Sequence, residues 1–421
     1  MSGTADERGG DAPRRFSGQV VKGQAPRSAI QHQIPESILT DEDLREAMSV
    51  LPDNYGFEIH KTIWRIRQKG AKTVALQFPE GLLMYSCIIA DILERFGGAE
   101  HCFVLGDVTY GACCVDDFSA KALEADLLVH YGHSCLVPVD VTDVPCLYVF
   151  VTIDFDVKHL VGTVESHFEE GSNIALAGTI QFAKAVQACK VELAGRFPSL
   201  TVPQSRPLSQ GEVLGCTAPL VKDGTSAIVF VADGRFHLEA IMIANPAIPA
   251  YRYDPYSKKM FLEEYDHAGM QRQRKNAVLT ASGASRWGVI LGALGRQGNP
   301  AILSTITRLL KDKEKSITKF VMSEIMPPRL TKIKNIDAWV QIACPRLSID
   351  WGDEFKKPTL TPYETMVALG AVKPWWEDLE TAETIAPAYP MDYYAKDGGQ
   401  WNSSYHKKKK KPTSSPLIRK K

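Results

Sequence analysis

The chain has 421 residues, of which 44% are hydrophobic and 23% charged, an ordinary globular composition that leaves room for two to four domains. Eight basic residues and no acid fall in Lys407–Lys421, so the remainder carries 41 basic and 49 acidic side chains, about −8. That mildly acidic body argues against a basic face for direct nucleic-acid binding. No apolar run has the roughly 18–20 residues of a membrane span, so no membrane contact is expected.

Residues 1–38 read as a poorly ordered arm, polar and acid-bearing at its start, unlike a secretory or transit peptide. A helix is expected from Thr40, whose hydroxyl would cap it. The acids Asp41, Glu42 and Asp43 follow, with Leu44, Met48 and Leu51 at near-helical spacing. Ile59, Ile63 and Ile66 predict a second helix. From Lys72 the texture changes. Thr73–Phe78, Cys102–Leu105, Leu127–Tyr131 and Leu147–Ile153 are short, continuous apolar runs separated by helical stretches, the signature of parallel strands covered on both faces.

The pattern returns twice. Strand Ile174–Ile180, helix Gln181–Leu193, a short strand Leu200–Val202, strand Ala227–Val231 and helix Leu238–Ala244 make a second pass. A long polar helix, Leu262–Ala281, opens the third. It continues with strand Val289–Leu294, helix Ala301–Leu310 and strands Thr318–Met322 and Ala338–Ala343. The period of roughly a hundred residues suggests a triplicated α/β domain rather than a solenoid. The expected division is 39–154, 155–261 and 262–375, then 376–421 as an irregular aromatic strap and a basic tail. The Lys407–Lys411 run is a solvated tail, a nuclear address or a contact for ribosomal RNA.

Nine cysteines in so long a chain do not make a disulfide scaffold. Cys87, Cys102, Cys146 and Cys189 fall inside predicted elements and read as buried small hydrophobes; Cys135, after a strand end, is ambiguous. Cys113, Cys216 and Cys344 each lie in a Gly/Ala/Pro-bearing loop, one per repeat. Cys113 comes 35 residues after Phe78 and Cys216 comes 36 after Ile180. Cys344 comes 50 after Leu294 and follows a later strand of its repeat. A three-fold arrangement would bring the loops to one centre. Zinc sites usually show a local Cys pair two to four residues apart, absent here, so an iron–sulfur cluster is the stronger metal reading, set against plain core thiols. The adjacent Cys114 is expected to point away from Cys113 on an extended segment.

Gln77, Gly81, His133, Asp233 and Gly234 lie at strand ends, where open α/β sheets bind ligands, and are candidate cofactor contacts; each also has an ordinary reading as a loop or turn residue. Arg346 is placed to hold a ligand carboxylate, or equally to pair with Asp350. Gly292, Gly295 and Gly298 have the wrong spacing for a nucleotide fingerprint and receive no role.

The strings Gln77–Leu82, Gly106–Asp117, Leu128–Ser134, Leu214–Thr217 and Cys344–Gly352, in this order, resemble the diphthamide synthesis family over about residues 30–375. The resemblance implies three α/β domains in a pseudo-three-fold arrangement, each donating one cysteine (Cys113, Cys216 and Cys344) to a central 4Fe-4S cluster. It implies a catalytic subunit that transfers the 3-amino-3-carboxypropyl group of S-adenosylmethionine to C2 of a histidine in elongation factor 2, by radical chemistry. It implies as partners a homologous second subunit and a small metal-binding electron donor, in the cytoplasm and, with the lysine run, the nucleus. Two alternatives stay open: a non-catalytic electron-relay or scaffold subunit of the same heterodimer, and a dehydratase of the quinolinate-synthase kind.

Overall fold

The computed structural model describes residues 34–107, 109–377 and 387–402. The first part of the arm and the lysine run lie outside them. Three four-stranded sheets follow one another along the chain. The first contains β1 (Thr73–Gln77), β2 (His101–Leu105), β3 (Leu127–Tyr131) and β4 (Cys146–Val149), all parallel, in the order β2-β1-β3-β4. The second contains β5 (Ile174–Gly178), β6 (Ala227–Val231), β7 (Ala250–Asp254) and β8 (Lys259–Glu263), in that spatial order. The third contains β9 (Arg286–Gly292), β10 (Ser316–Met322), β11 (Ala338–Ile342) and β12 (Thr359–Leu360), again all parallel, in the order β10-β9-β11-β12.

The first and third sheets thus share one strand order. The second repeats it in reduced form: Thr201 makes a single parallel bridge to Ala175 on the free side of β5, where β2 and β10 stand in the other sheets. The predicted strand Leu200–Val202 is this remnant. The α/β class and parallel sheets expected from the apolar runs hold. In β1, Val74 and Leu76 enter the core under the helices Ile59–Lys69 and Ser86–Gly97, while Ala75 faces a separate cluster with Leu128 and Tyr148. Both faces are therefore dry, as a continuous apolar strand requires.

Several expectations need correction. The first long N-terminal helix, Glu42–Met48, is capped by Asp41, whose carboxylate accepts the Leu44 N–H at 3.0 Å; Thr40 precedes the cap. The run Leu147–Ile153 breaks at Val151, which has φ +52°, and Thr152–Ile153 leaves to pair with Tyr55–Gly56. The polar helix expected from Leu262 starts at His267 with Asp266 as cap. Leu262 belongs instead to β8, opposite Tyr251 in an antiparallel hairpin, so the second sheet ends at Glu263, past residue 261. Cross-strand pairing, invisible to a helical reading of one segment, decided this stretch. Cys189 is buried, but Cys102 and Cys146 are only half-buried and Cys87 is exposed: its position faces outward on Ser86–Gly97.

One hydrophobic core runs through the second and third repeats together, joining Ile228 and Phe230 to Trp287, Val289 and Val340. The first repeat has its own cores and meets the others mainly where loops leave the carboxyl ends of the strands.

Candidate functional site

The loop after β2 carries Cys113 and Cys114 in a tight 3-10 turn, Ala112–Cys114, rather than on the extended segment expected, so the two thiols are neighbours. Gln77, at the end of β1 and fully buried, holds this loop. Its amide N–H donates to the Cys114 carbonyl at 2.8 Å, and its carbonyl accepts the Asp116 N–H at 3.2 Å while lying 2.8 Å from His130 Nδ1. Gln77 thus braces the cysteine loop.

The third repeat grips the same loop from the other side. After β9, Gly295 has φ +52°, and a Cβ there would stand 2.5 Å from the Cys114 carbonyl carbon, so glycine is required. Arg296 donates its backbone N–H to the Cys113 carbonyl at 2.9 Å and grips buried Asp117 through two bonds of 2.8 and 2.6 Å. The Gln297 amide reaches Cys114 Sγ at 3.3 Å. These residues, missed in the sequence, sit inside the glycine cluster that failed the phosphate-loop test. Its glycines serve close backbone approach to another repeat.

Cys216 lies in the second repeat on a loop whose Leu214 and Thr217 bond each other's backbone. It is buried with Ala112 and Leu136 of the first repeat, Leu208 and Leu214 of the second, and Tyr393 near the C-terminus; Cys113 packs against this group. Cys344 follows β11. Two residues on, buried Arg346 ties its segment to the Cys216 loop: Nη1 donates to the Gly215 and Phe236 carbonyls at 3.3 and 2.8 Å, Nη2 to Glu239 at 2.5 Å, and Nε to both oxygens of Asp350 at 2.7 and 2.9 Å. Arg346 thus makes the pairing with Asp350 that is one of the two roles expected of it.

The three thiols are electrostatic neighbours. The Cys113 thiol is held well above its ordinary range, first by its hydrogen bond with Cys114, then by burial, with the charges of Cys114, Cys216 and Cys344 adding to the effect. Cys114 is the complementary member, lowered to about 7 by the same bond. Burial pushes Cys216 up to about 12 and Cys344 to about 11; the charge of Cys344 contributes at Cys216, and that of Cys114 at Cys344. Among the described residues, no three His, Cys, Asp or Glu side chains stand together as a ready ion cage. Sulfur ligands suit soft metal ions and iron–sulfur clusters. As neutral thiols they would have to surrender protons to bind either, which a bound metal enforces.

Of the other candidates, His133 lies beside His130, ring centroids 5.2 Å apart, with its Nδ1 buried and lacking a partner among the described residues. Burial lowers it to about 4, and likewise His237 of the second repeat, which also feels His133 and Arg346. Gly81, Asp233 and Gly234 are exposed: Gly81 is in the 3-10 turn after β1, and the pair follows β6. Gly132, directly after β3, is fixed as glycine by φ +78° and the proximity of Pro79. A groove of about 930 Å³ opens away from the three cysteines, beside Tyr265, Met270 and Asn276, and touches the Arg346 network at Glu239 and Asp350.

Comparison with known proteins gives a consistent result. The family model for diphthamide synthesis proteins matches residues 78–380. The chain is 52% identical over 420 residues to 2-(3-amino-3-carboxypropyl)histidine synthase subunit 1 of Gallus gallus, covering 99% of each. It is 51% identical over 408 residues to the Homo sapiens protein of that name, covering 96% of this chain and 89% of the other. Among solved structures, Dph2 from Pyrococcus horikoshii aligns with a TM-score of 0.62 at 28% identity, covering 75% of this chain and 91% of that one. A second structure of that protein contains a 4Fe-4S cluster and aligns equally well.

Proposed function

The chain belongs to the diphthamide synthesis protein family, and from that premise we propose that it is the catalytic subunit that transfers the 3-amino-3-carboxypropyl group of S-adenosylmethionine to C2 of a histidine in elongation factor 2, with a 4Fe-4S cluster held by Cys113, Cys216 and Cys344. What supports the reading is that these cysteines come from three repeats, that the charges of Cys216 and Cys344 reach Cys113 and that of Cys344 reaches Cys216, and that a structural relative carries such a cluster. A reduced cluster held there would supply one electron for cleavage of the sulfur–Cγ bond into methylthioadenosine and a carbon radical; the adduct of that radical with the imidazole would then lose one electron and the C2 proton to restore the aromatic ring.

The chain's own residues do the holding. Gln77 and Arg296 fix the Cys113 loop, and Arg346 ties the Cys344 segment to the Cys216 loop. Ala112, Leu136, Leu208 and Leu214 surround Cys216 and meet Cys113, and such apolar packing excludes water that would quench a reactive fragment. In this reading Gln77, Gly81, His133, Asp233 and Gly234 remain contacts for S-adenosylmethionine, His133 through a buried Nδ1 without a partner among the described residues. The homologous second subunit, a small metal-binding electron donor and residence in cytoplasm and nucleus belong to the same proposal.

The test is anaerobic reconstitution with iron and sulfide, followed by dithionite and S-adenosylmethionine. The chain should yield methylthioadenosine. Cys113→Ala, Cys216→Ala and Cys344→Ala should each abolish it, while Cys87→Ala and Cys189→Ala retain it. An intact cluster without product would favour the electron-relay subunit instead. Full activity in Cys344→Ala would falsify the ligand assignment.

A further inference from the structure

The aromatic segment near the C-terminus, Pro387–Asn402, has no task in the reading above. It lies beyond the residues matched by the family model, yet it is built onto the sulfur site. The Ala218 N–H donates to the Met391 carbonyl at 2.8 Å, the Tyr393 N–H to the Cys216 carbonyl at 3.4 Å, and the Tyr394 N–H to Thr217 Oγ1 at 3.1 Å. Thr217 and Asp392 pair as an antiparallel bridge. The Thr217 hydroxyl also stands 3.7 Å from Cys216 Sγ. One sequence position thus holds both the sulfur and the strap.

The strap is rooted on both sides of this contact. Upstream, Tyr389 is buried, with its hydroxyl donating to Glu364 at 3.0 Å. Downstream, Asp392 closes a turn by accepting from the Gly399 N–H at 2.9 Å and the Trp401 indole at 2.6 Å. Between the two anchors, Tyr393 enters the small core with Ala112, Leu136 and Cys216, and Tyr394 packs against that core together with Cys113. Burial is the main influence on the Tyr394 phenol, but the charges of Cys113, Cys216, Cys344 and Cys114 all reach it. A phenol is a neutral donor at pH 7 in any case.

We propose that Tyr394 is a positioning residue of the sulfur site: the strap covers Cys216, and the Tyr394 hydroxyl acts as a hydrogen-bond donor toward the sulfur-rich group held by the three cysteines. The inference rests on the function proposed above for its second half only; the cover over Cys216 stands on contacts within the chain. Hydrogen bonds to cluster sulfurs and exclusion of solvent are two of the factors that set reduction potential. A donor stabilises the more negative, reduced state, so removing it makes reduction harder.

Two measurements on the full chain test this. In the metal-free protein, alkylation of Cys216 by N-ethylmaleimide is followed by mass spectrometry. Tyr394→Ala should speed it several-fold, and Tyr394→Phe, which keeps the ring, should leave it close to wild type. Unchanged protection in a folded Tyr394→Ala variant overturns the cover. In the reconstituted protein, Tyr394→Phe should retain the wild-type iron content, shift the reduction midpoint to a more negative value and slow methylthioadenosine release by up to ~10-fold. An unaltered midpoint at equal iron content overturns the role of the hydroxyl. Should the wild-type chain take up no iron, the proposed function falls, and the alkylation result still decides whether the strap is a cover.

Discussion

The two seams between repeats are built on opposite plans. The second and third repeats share one continuous apolar core, and Tyr389 is driven into it: its N–H bonds the Ile243 carbonyl of the second repeat at 3.3 Å and its hydroxyl bonds Glu364 of the third. The first repeat meets them across a small cluster and a few charged clamps, chiefly Arg296 on Asp117. The candidate sulfur site lies along this thinner seam. A shared core fixes two bodies by area and shape, which leaves little space for a ligand. A seam of loops held by directional bonds can fix positions while leaving polar groups and sulfurs facing a common volume.

If that contrast is right, the largest effect on folding comes from the thick seam. Tyr389→Ala removes a buried aromatic and strands part of the Glu364 carboxylate, a loss of about 3–5 kcal/mol by analogy with aromatic-to-alanine changes in cores. Denaturant titration should show it as a clear drop in midpoint; a change below ~1 kcal/mol, the scale of an ordinary surface effect, would mean the shared core does not depend on this anchor.

Arg296→Met comes next. It leaves Asp117 buried without its main partner, for which about 2–3 kcal/mol is a fair expectation once discounted for the 23% exposure of the guanidinium side. Its signature is local: Cys114, gripped through Gln297, should become reactive to alkylating agents at denaturant concentrations where the second and third repeats remain folded. Simultaneous loss of both would erase the distinction between the seams.

The smallest effect is a pH dependence. Burial holds His133 of the first repeat and His237 of the second at about 4, below the ordinary 6.5, and the charge of His133 reaches His237 across the thin seam. Between those values the unfolded chain binds protons that the folded chain refuses, so stability should fall as pH drops from about 6.5 toward 4 and be flat above. His237→Gln should flatten that acid limb in metal-free protein. An identical slope in the variant would show that other groups control it.

Much of this was legible in the residues themselves. Continuous apolar runs such as Leu127–Tyr131 and Ala227–Val231 admit little besides a strand buried on both faces, and their recurrence announced the repeated sheets. The cysteine loops stood out because they follow strand ends and carry small residues. The strap was legible only as an aromatic-rich irregular stretch, and Arg296 and Gln297 were concealed in a glycine cluster that resembled a poor nucleotide loop. Cys114 falls beside Cys113 because the chain makes a tight turn there, which the residues alone do not distinguish from an extended path.

Local pattern therefore determined the elements and the α/β class, because hydrophobic period and turn chemistry act within a few residues of chain. Which loops face one another was decided by tertiary structure alone: Gly295 against Cys114, Arg346 against Gly215, Tyr394 against Thr217 are contacts between residues more than a hundred positions apart. Nothing in a local window encodes such a meeting, since it depends on how whole sheets bury their faces and where that leaves the ends of their strands.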